Sequence, residues 1–297
     1  GGVPLLELVS ELLAPVEGGD IDRVTVNYCL QCPRHEDDNA SWSWILTFGD
    51  YAGGELIVEP PGADPVALAA AVRDGGLDQL RQGNNAMAIR KLREAEAGNP
   101  DDPLTYAGLG EAFRRKGRLE EAEQNLRQSL ALSPDVHAED YQRATLSLAV
   151  VYIQMERYAE AEALCQSLVE DPTYARPWEA LTNLGWAQYK SGRFQEARAS
   201  YEEALDFRSN YARARFNLGK LDQEQGRWTA AIRQLELALD GPPMGPEAVA
   251  EANFRLGEIY MTLGRRDRAL EHFRVAEEKS PDGEWGEQSR EYLELLL

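Results

Sequence analysis

The chain has 297 residues and carries 51 Asp and Glu against 31 Lys and Arg, a formal net charge of −20. Such an acidic balance argues against unspecific binding to nucleic acid or to an anionic membrane surface. No stretch is apolar enough to span a bilayer, Leu5 to Leu13 is too short and too acidic (Glu7, Glu11) for a secretory signal, and three cysteines make no disulfide framework.

Residues 1–65 form a small β-rich segment. Ile21 to Tyr28 and Trp42 to Phe48 are rich in β-branched and aromatic side chains, and Glu55 to Val58 continues the pattern after Gly53-Gly54. These runs predict short strands joined by Gly, Asp and Asn turns. Cys29-x-x-Cys32 has a spacing that can serve zinc or redox chemistry, but no fourth ligand or βαβ pattern accompanies it, so both cysteines are expected to pack. His35-Glu36-Asp37, followed by Trp44 through Gly53-Gly54-Glu55-Leu56, resembles the middle of the iron- and 2-oxoglutarate-dependent dioxygenases. The resemblance implies His35 and Asp37 as two of three iron ligands. The third must be another histidine in a strand context. The later histidines are His137, in a repeat insertion, and His272, on a repeat helix. The expectation is therefore a fragment of that fold without a working iron site, no cofactor and no catalysis. The rival reading is an oxygenase fragment fused to a docking domain. The run Pro60 to Pro65 marks the boundary with residues 66–297.

From Gly76 to Pro281 one pattern returns about every 34 residues. Its clearest copy reads Leu256, Gly257, Tyr260, Gly264, Ala269, Phe273, Ala276, Pro281; others read Leu218, Gly219, Gly226, Ala231, Leu235, Ala238, Pro243 and Leu109, Gly110, Phe113, Gly117, Ala122, Leu126, Ser129, Pro134. The spacing places Leu256, Gly257 and Tyr260 on one face of a first helix, and Ala269, Phe273 and Ala276 on one face of a second. The small residues let two helices approach, and the large ones fill the seam. Gly264 turns the chain, and Pro281 ends the unit. A lone hairpin cannot bury its apolar face, so the units must stack into a superhelix.

The pattern is that of the tetratricopeptide (TPR) repeats. The resulting fold class is all-α, a superhelix of about six repeats (69–102, 103–136, 142–175, 178–211, 212–245, 250–283) closed by a capping helix over 284–297. Insertions fall at Asp135 to Tyr141 and Pro242 to Glu247, and Cys165 holds the large-apolar position of repeat three. The basic clusters Arg114-Arg115-Lys116 and Arg265-Arg266 lie at first-helix ends or in the next turn, where the helix dipole favours cations.

A TPR stack is a binding platform, and its groove is lined by first helices. The expected groove residues are Leu146, Val150 and Ile153 in repeat three; Thr182, Asn183, Trp186 and Tyr189 in repeat four; Asn217 and Lys220 in repeat five; Arg255 and Glu258 in repeat six. Asparagines beside an apolar patch suit an extended or helical peptide, with Trp186 and Tyr189 as anchors. The competing reading packs Trp186 and Val150 against neighbouring repeats. A chaperone-type carboxylate clamp is not expected, because repeat three offers no lysine beside the positions of Asn183 and Asn217.

The run Asp171-Pro172-Thr173-Tyr174-x-x-Pro177-x-x-Ala180-x-x-Asn183-Leu184-Gly185 is similar to a repeat junction of the type IV pilus pilotins, outer-membrane lipoproteins with six TPR units. The resemblance covers residues 66–297. It implies a protein or peptide partner, a pilus secretin subunit first, and a place on the periplasmic face of the outer membrane. Cys29 and Cys32 follow no apolar run, so neither is expected to carry the pilotin lipid. A general TPR adaptor in another complex, expected in the cytoplasm, is the alternative. Neither reading implies nucleic acid or insertion into a membrane.

Overall fold

The computed structural model describes residues 64–296, together with the backbone of two short strands, β1 (Ile45–Leu46) and β2 (Leu56–Ile57). The chain divides into two units, Gly1–Ala67 and Leu68–Leu297. In the first, β1 and β2 pair antiparallel, with Ile45 opposite Ile57 and Leu46 opposite Leu56. They fall within two of the expected strand runs. The third run, Cys29, Cys32, His35 and Asp37 all lie outside the described residues.

The described remainder is helical: α1 (Pro65–Arg81), α2 (Asn85–Gly98), α3 (Pro103–Arg115), α4 (Leu119–Leu132), α5 (Glu139–Gln154), α6 (Tyr158–Glu170), α7 (Pro177–Lys190), α8 (Phe194–Phe207), α9 (Ala212–Glu224), α10 (Trp228–Leu239), α11 (Pro246–Thr262), α12 (Arg266–Lys279) and α13 (Glu284–Leu296). Prolines open α3, α7 and α11, where the missing N–H costs nothing. Asp102 caps α3. Its carboxylate accepts from the Leu104 N–H at 3.2 Å, from the Thr105 hydroxyl at 2.7 Å and from Arg73 at 3.1 Å.

In five of the six hairpins a glycine of the first helix faces a large residue of the second. A Cβ on Gly185 would stand 2.7 Å from the Tyr201 ring, and one on Gly257 would stand 2.5 Å from Phe273. Repeat three solves the seam differently. Ala149 replaces the glycine, Cys165 replaces the large partner, and both are fully buried in one cluster. Burial pushes the Cys165 thiol up to about 12. The hairpin turns show the same exception. Gly83, Gly117, Gly192, Gly226 and Gly264 have φ between 69° and 83°, whereas repeat three places Glu156 there at φ 60°. An L-residue with a Cβ is strained in that region.

First helices touch one another from unit to unit (α3 with α5, α5 with α7, α7 with α9, α9 with α11), whereas second helices touch first helices and, at the C-terminal end, the capping helix α13. The stack therefore curves with its first helices on the inner wall. At its C-terminal end α13 covers the last apolar face. Trp285 and Tyr292 meet Phe254 at 5.3 and 5.7 Å between ring centroids, and Tyr292 stacks on Phe273 at 4.7 Å. An ionic clasp joins α8 to α9 and the turn that follows. Buried Asp222 accepts from Arg198 and, at 2.8 Å, from Arg227.

Candidate functional groove

The inner wall repeats one arrangement. On α7, α9 and α11 the residues at i, i+4 and i+7 share a face: Glu179, Asn183 and Trp186; Arg213, Asn217 and Lys220; Glu251, Arg255 and Glu258. The groove then differs along its length.

Between α3, α5, α7 and the start of α9 lies a concave pocket of about 350 Å³, lined by Glu111, Arg114, Leu146, Ser147, Val150, Glu179, Asn183, Tyr211 and Arg213. Leu146 and Val150 give it an apolar wall. Glu111 is bonded at 2.7 Å by both Arg114 and Arg115. Burial alone would raise its carboxyl, but those two guanidinium bonds outweigh burial and hold it below the ordinary value. Glu179 faces Arg176 at 3.6 Å, and Arg176 also lies 4.0 Å from Glu139. Arg213 has no carboxylate partner among the described residues.

Asn183 is the telling side chain. It is 8 % exposed, yet its carboxamide makes no hydrogen bond among the described residues. The other buried asparagines are satisfied. Asn125 donates to the Glu121 carbonyl at 2.7 Å, and Asn253 to the Val249 carbonyl at 2.9 Å. The Asn183 amide atoms still reach water in the open pocket, so a bound segment would exchange that water for its own backbone at little cost.

The C-terminal half of the groove holds its own ligands. Lys220 reaches Glu251 at 3.3 Å, and Arg255 donates to the same carboxylate at 2.7 and 2.9 Å. Arg255 also donates to Gln223 at 3.1 Å, and Gln223 to Glu258 at 3.1 Å. Burial lowers the Lys220 ammonium, and Arg255 beside it adds to that effect. At the join between the halves Trp186 stacks on Tyr189 at 5.0 Å with 17° between planes. The Lys190 and Lys220 ammonium groups lie over the Trp186 ring at 5.3 and 4.9 Å, and the Tyr189 hydroxyl donates to Glu224.

Of the residues read from sequence, Leu146, Val150 and Asn183 meet in the pocket; Trp186 and Tyr189 meet at the join; and Lys220, Arg255 and Glu258 belong to the ladder. Asn217 is half-buried on the same face. Ile153 is 8 % exposed and belongs to the core cluster on which Trp186 packs, and Thr182 is buried with its hydroxyl on the Trp178 carbonyl at 2.7 Å. Glu111, Arg114, Ser147, Glu179, Tyr211 and Arg213 were not read from sequence. Extending the Asn183 and Asn217 face by one helical turn reaches Glu179 and Arg213. His137 bonds Asp171 at 3.1 Å, and His272 bonds Asn253 at 3.0 Å. Among the described residues no group of three His, Cys, Asp or Glu is placed to hold a metal ion.

A curved stack of helical hairpins with recognition groups along its inner wall is a scaffold for protein–protein interaction. The chain belongs to the tetratricopeptide repeat family: residues 77–234 match the tetratricopeptide repeat protein 21 C-terminal ARM domain, and residues 216–284 match a further tetratricopeptide repeat family. It is 27 % identical over 221 residues to the cellulose synthase 1 operon protein C of Komagataeibacter xylinus, a match covering 72 % of this chain and 16 % of that protein. The chain thus spans a small part of that relative's length. Among solved structures it is similar to PilW, a type IV pilus biogenesis factor (19 % identity, 74 % of this chain and 97 % of that one, TM-score 0.62). It is also similar to PilF of Pseudomonas aeruginosa (18 %, 77 % and 99 %, TM-score 0.60) and to a chain of the APC/C Cut9–Hcn1 hetero-tetramer (17 %, 77 % and 43 %, TM-score 0.64). At these identities the likeness is one of fold.

Proposed function

We propose that this chain is a non-enzymatic adaptor that holds a segment of a protein partner along its inner wall, and that the partner belongs to an envelope assembly, a type IV pilus secretin subunit first. The observation that carries the binding reading is the pocket under Asn183, a buried amide without an intramolecular bond beside an apolar wall. The segment would lie extended or helical, with its backbone on Asn183 and Asn217 and a side chain against Trp186 and Tyr189. Holding it there would shield its apolar surface until the partner oligomerises. The secretin reading is supported by the repeat-four junction and by the near-complete coverage of PilW and PilF. It carries with it a place on the periplasmic face of the outer membrane.

A second reading, an adaptor working with a cellulose synthase, is favoured by the 27 % identity to the operon protein. Co-purification separates them. The full chain is mixed with an unassembled type IV pilus secretin subunit or with a cellulose synthase subunit, and an unrelated TPR stack serves as control. Selective capture of the secretin, lost on Asn183→Ala, supports the first reading. Capture of the synthase alone replaces it with the second, and capture of neither removes both partners.

A further inference from the structure

Resting on the groove-binding reading, the charges around the pocket narrow the chemistry of the bound segment. Both acidic side chains of the lining are already answered: Glu111 by Arg114 and Arg115 at 2.7 Å, and Glu179 by Arg176 at 3.6 Å. Arg213, exposed on the first turn of α9, is left without a carboxylate in a chain of net charge −20. The neighbouring guanidinium, Arg208, is likewise without an acidic partner and lies over the Trp178 and Tyr211 rings at 5.3 and 5.8 Å. The uncompensated charge at this end of the groove is therefore positive, against the sign of the whole molecule. Leu146, Val150 and Asn183 line the same pocket as Arg213, and the Asn183 carboxamide makes no hydrogen bond among the described residues. Farther along the groove the cations Lys220 and Arg255 already share Glu251, so that stretch offers no comparable vacancy.

We propose that the pocket selects an extended partner segment in which an acidic side chain sits beside a bulky apolar one. The carboxylate goes to Arg213, the apolar side chain to Leu146 and Val150, and a backbone amide to Asn183. The guanidinium presents paired donors that match a carboxylate. The apolar neighbour supplies buried area, which an exposed ion pair alone lacks. Opposite charge at the pocket, in a molecule that otherwise repels acidic segments, sets which sequence enters and in which direction.

The test is selection of phage-displayed random dodecapeptides on the immobilised full chain, run in parallel on Arg213→Glu and on Trp186→Ala. The expected wild-type pool is enriched in Asp or Glu beside Leu, Ile, Val or Phe; the acidic preference vanishes or turns basic on Arg213→Glu and survives on Trp186→Ala. A synthetic peptide of the selected consensus should bind Arg213→Glu about tenfold more weakly, with Arg213→Lys recovering only part of the loss, because lysine keeps the charge but not the paired donors. Arg213 is exposed and carries no ion pair, so circular dichroism melts of these variants should overlay the wild type. A pool enriched in apolar residues without acidic ones, or an acidic preference unchanged by Arg213→Glu, overturns this proposal. The groove reading would still stand in that case, provided that Asn183→Ala weakens the selected peptide. A pool no richer than that from an unrelated TPR stack removes both.

Discussion

The two halves of the inner wall use the same repeat positions for opposite ends. On α9 and α11 the second and third positions of the face carry Lys220, Arg255 and Glu258, which with Glu251 and Gln223 close into a ladder that stabilises the stack. On α5 and α7 the matching positions Ser147, Val150 and Asn183 line a cavity, and the Asn183 amide has no protein partner among the described residues. A groove position is thus open or closed according to whether the next repeat answers it. Chemistry alone does not decide the matter, since the better hydrogen-bonding groups here are the ones already used.

The largest way to break this contrast is Glu251→Ala. It strands Lys220 and Arg255, whose side chains are each under 20 % exposed, and should lower unfolding free energy by about 2–3 kcal/mol in urea. Peptide binding at the pocket should be untouched, and a loss below about 0.5 kcal/mol would show that the ladder is ornamental. Next is the double change Trp186→Ala and Tyr189→Ala, expected to weaken partner binding by about 1–3 kcal/mol by calorimetry. Unchanged affinity would draw the edge of the binding region before the join, leaving the aromatic pair to the structural half.

Smaller effects sharpen the picture at the pocket and in repeat three. Glu156→Gly should stabilise by about 0.5–1 kcal/mol, because it relieves the only non-glycine residue with positive φ among the described ones. At the pocket, Glu111 contributes stability that is complete above its ordinary carboxyl value of 4.5 and is lost as pH falls through the lower folded value. Glu111→Gln should therefore flatten the stability–pH profile below about pH 4.5 and leave the neutral region sloped as before. The smallest effect is a null one. Cys165, fully buried with its thiol at about 12, should not react with an aromatic disulfide at pH 8 until the chain is unfolded.

The architecture was open to reading because five of the six repeats pair a glycine with a large residue at constant distance, as in Gly185 with Tyr201 and Gly257 with Phe273. Such a pair is meaningful only if two helices cross there, so its recurrence names the fold. The groove was harder to read. Glu179 and Arg213 look like ordinary solvated charges in a first helical turn, and nothing local distinguishes Arg213, without a carboxylate, from Arg255, which has one. That difference lies in which residue the neighbouring repeat sets opposite. Ile153 shows the converse. Its helical register points to the inner wall, but the cluster beneath Trp186 takes it in.

The strained turn at Glu156 and the small-with-small seam of Ala149 and Cys165 fall in one repeat, near the middle of the stack. A linear array with nearest-neighbour coupling loses cooperativity at its weakest link, so the two flanks should melt as separate foldons, with amides of α5 and α6 exchanging first. The pocket straddles that link, since its walls come from α3, α5, α7 and the start of α9. An occupant would therefore act as a splint, merging two unfolding transitions into one.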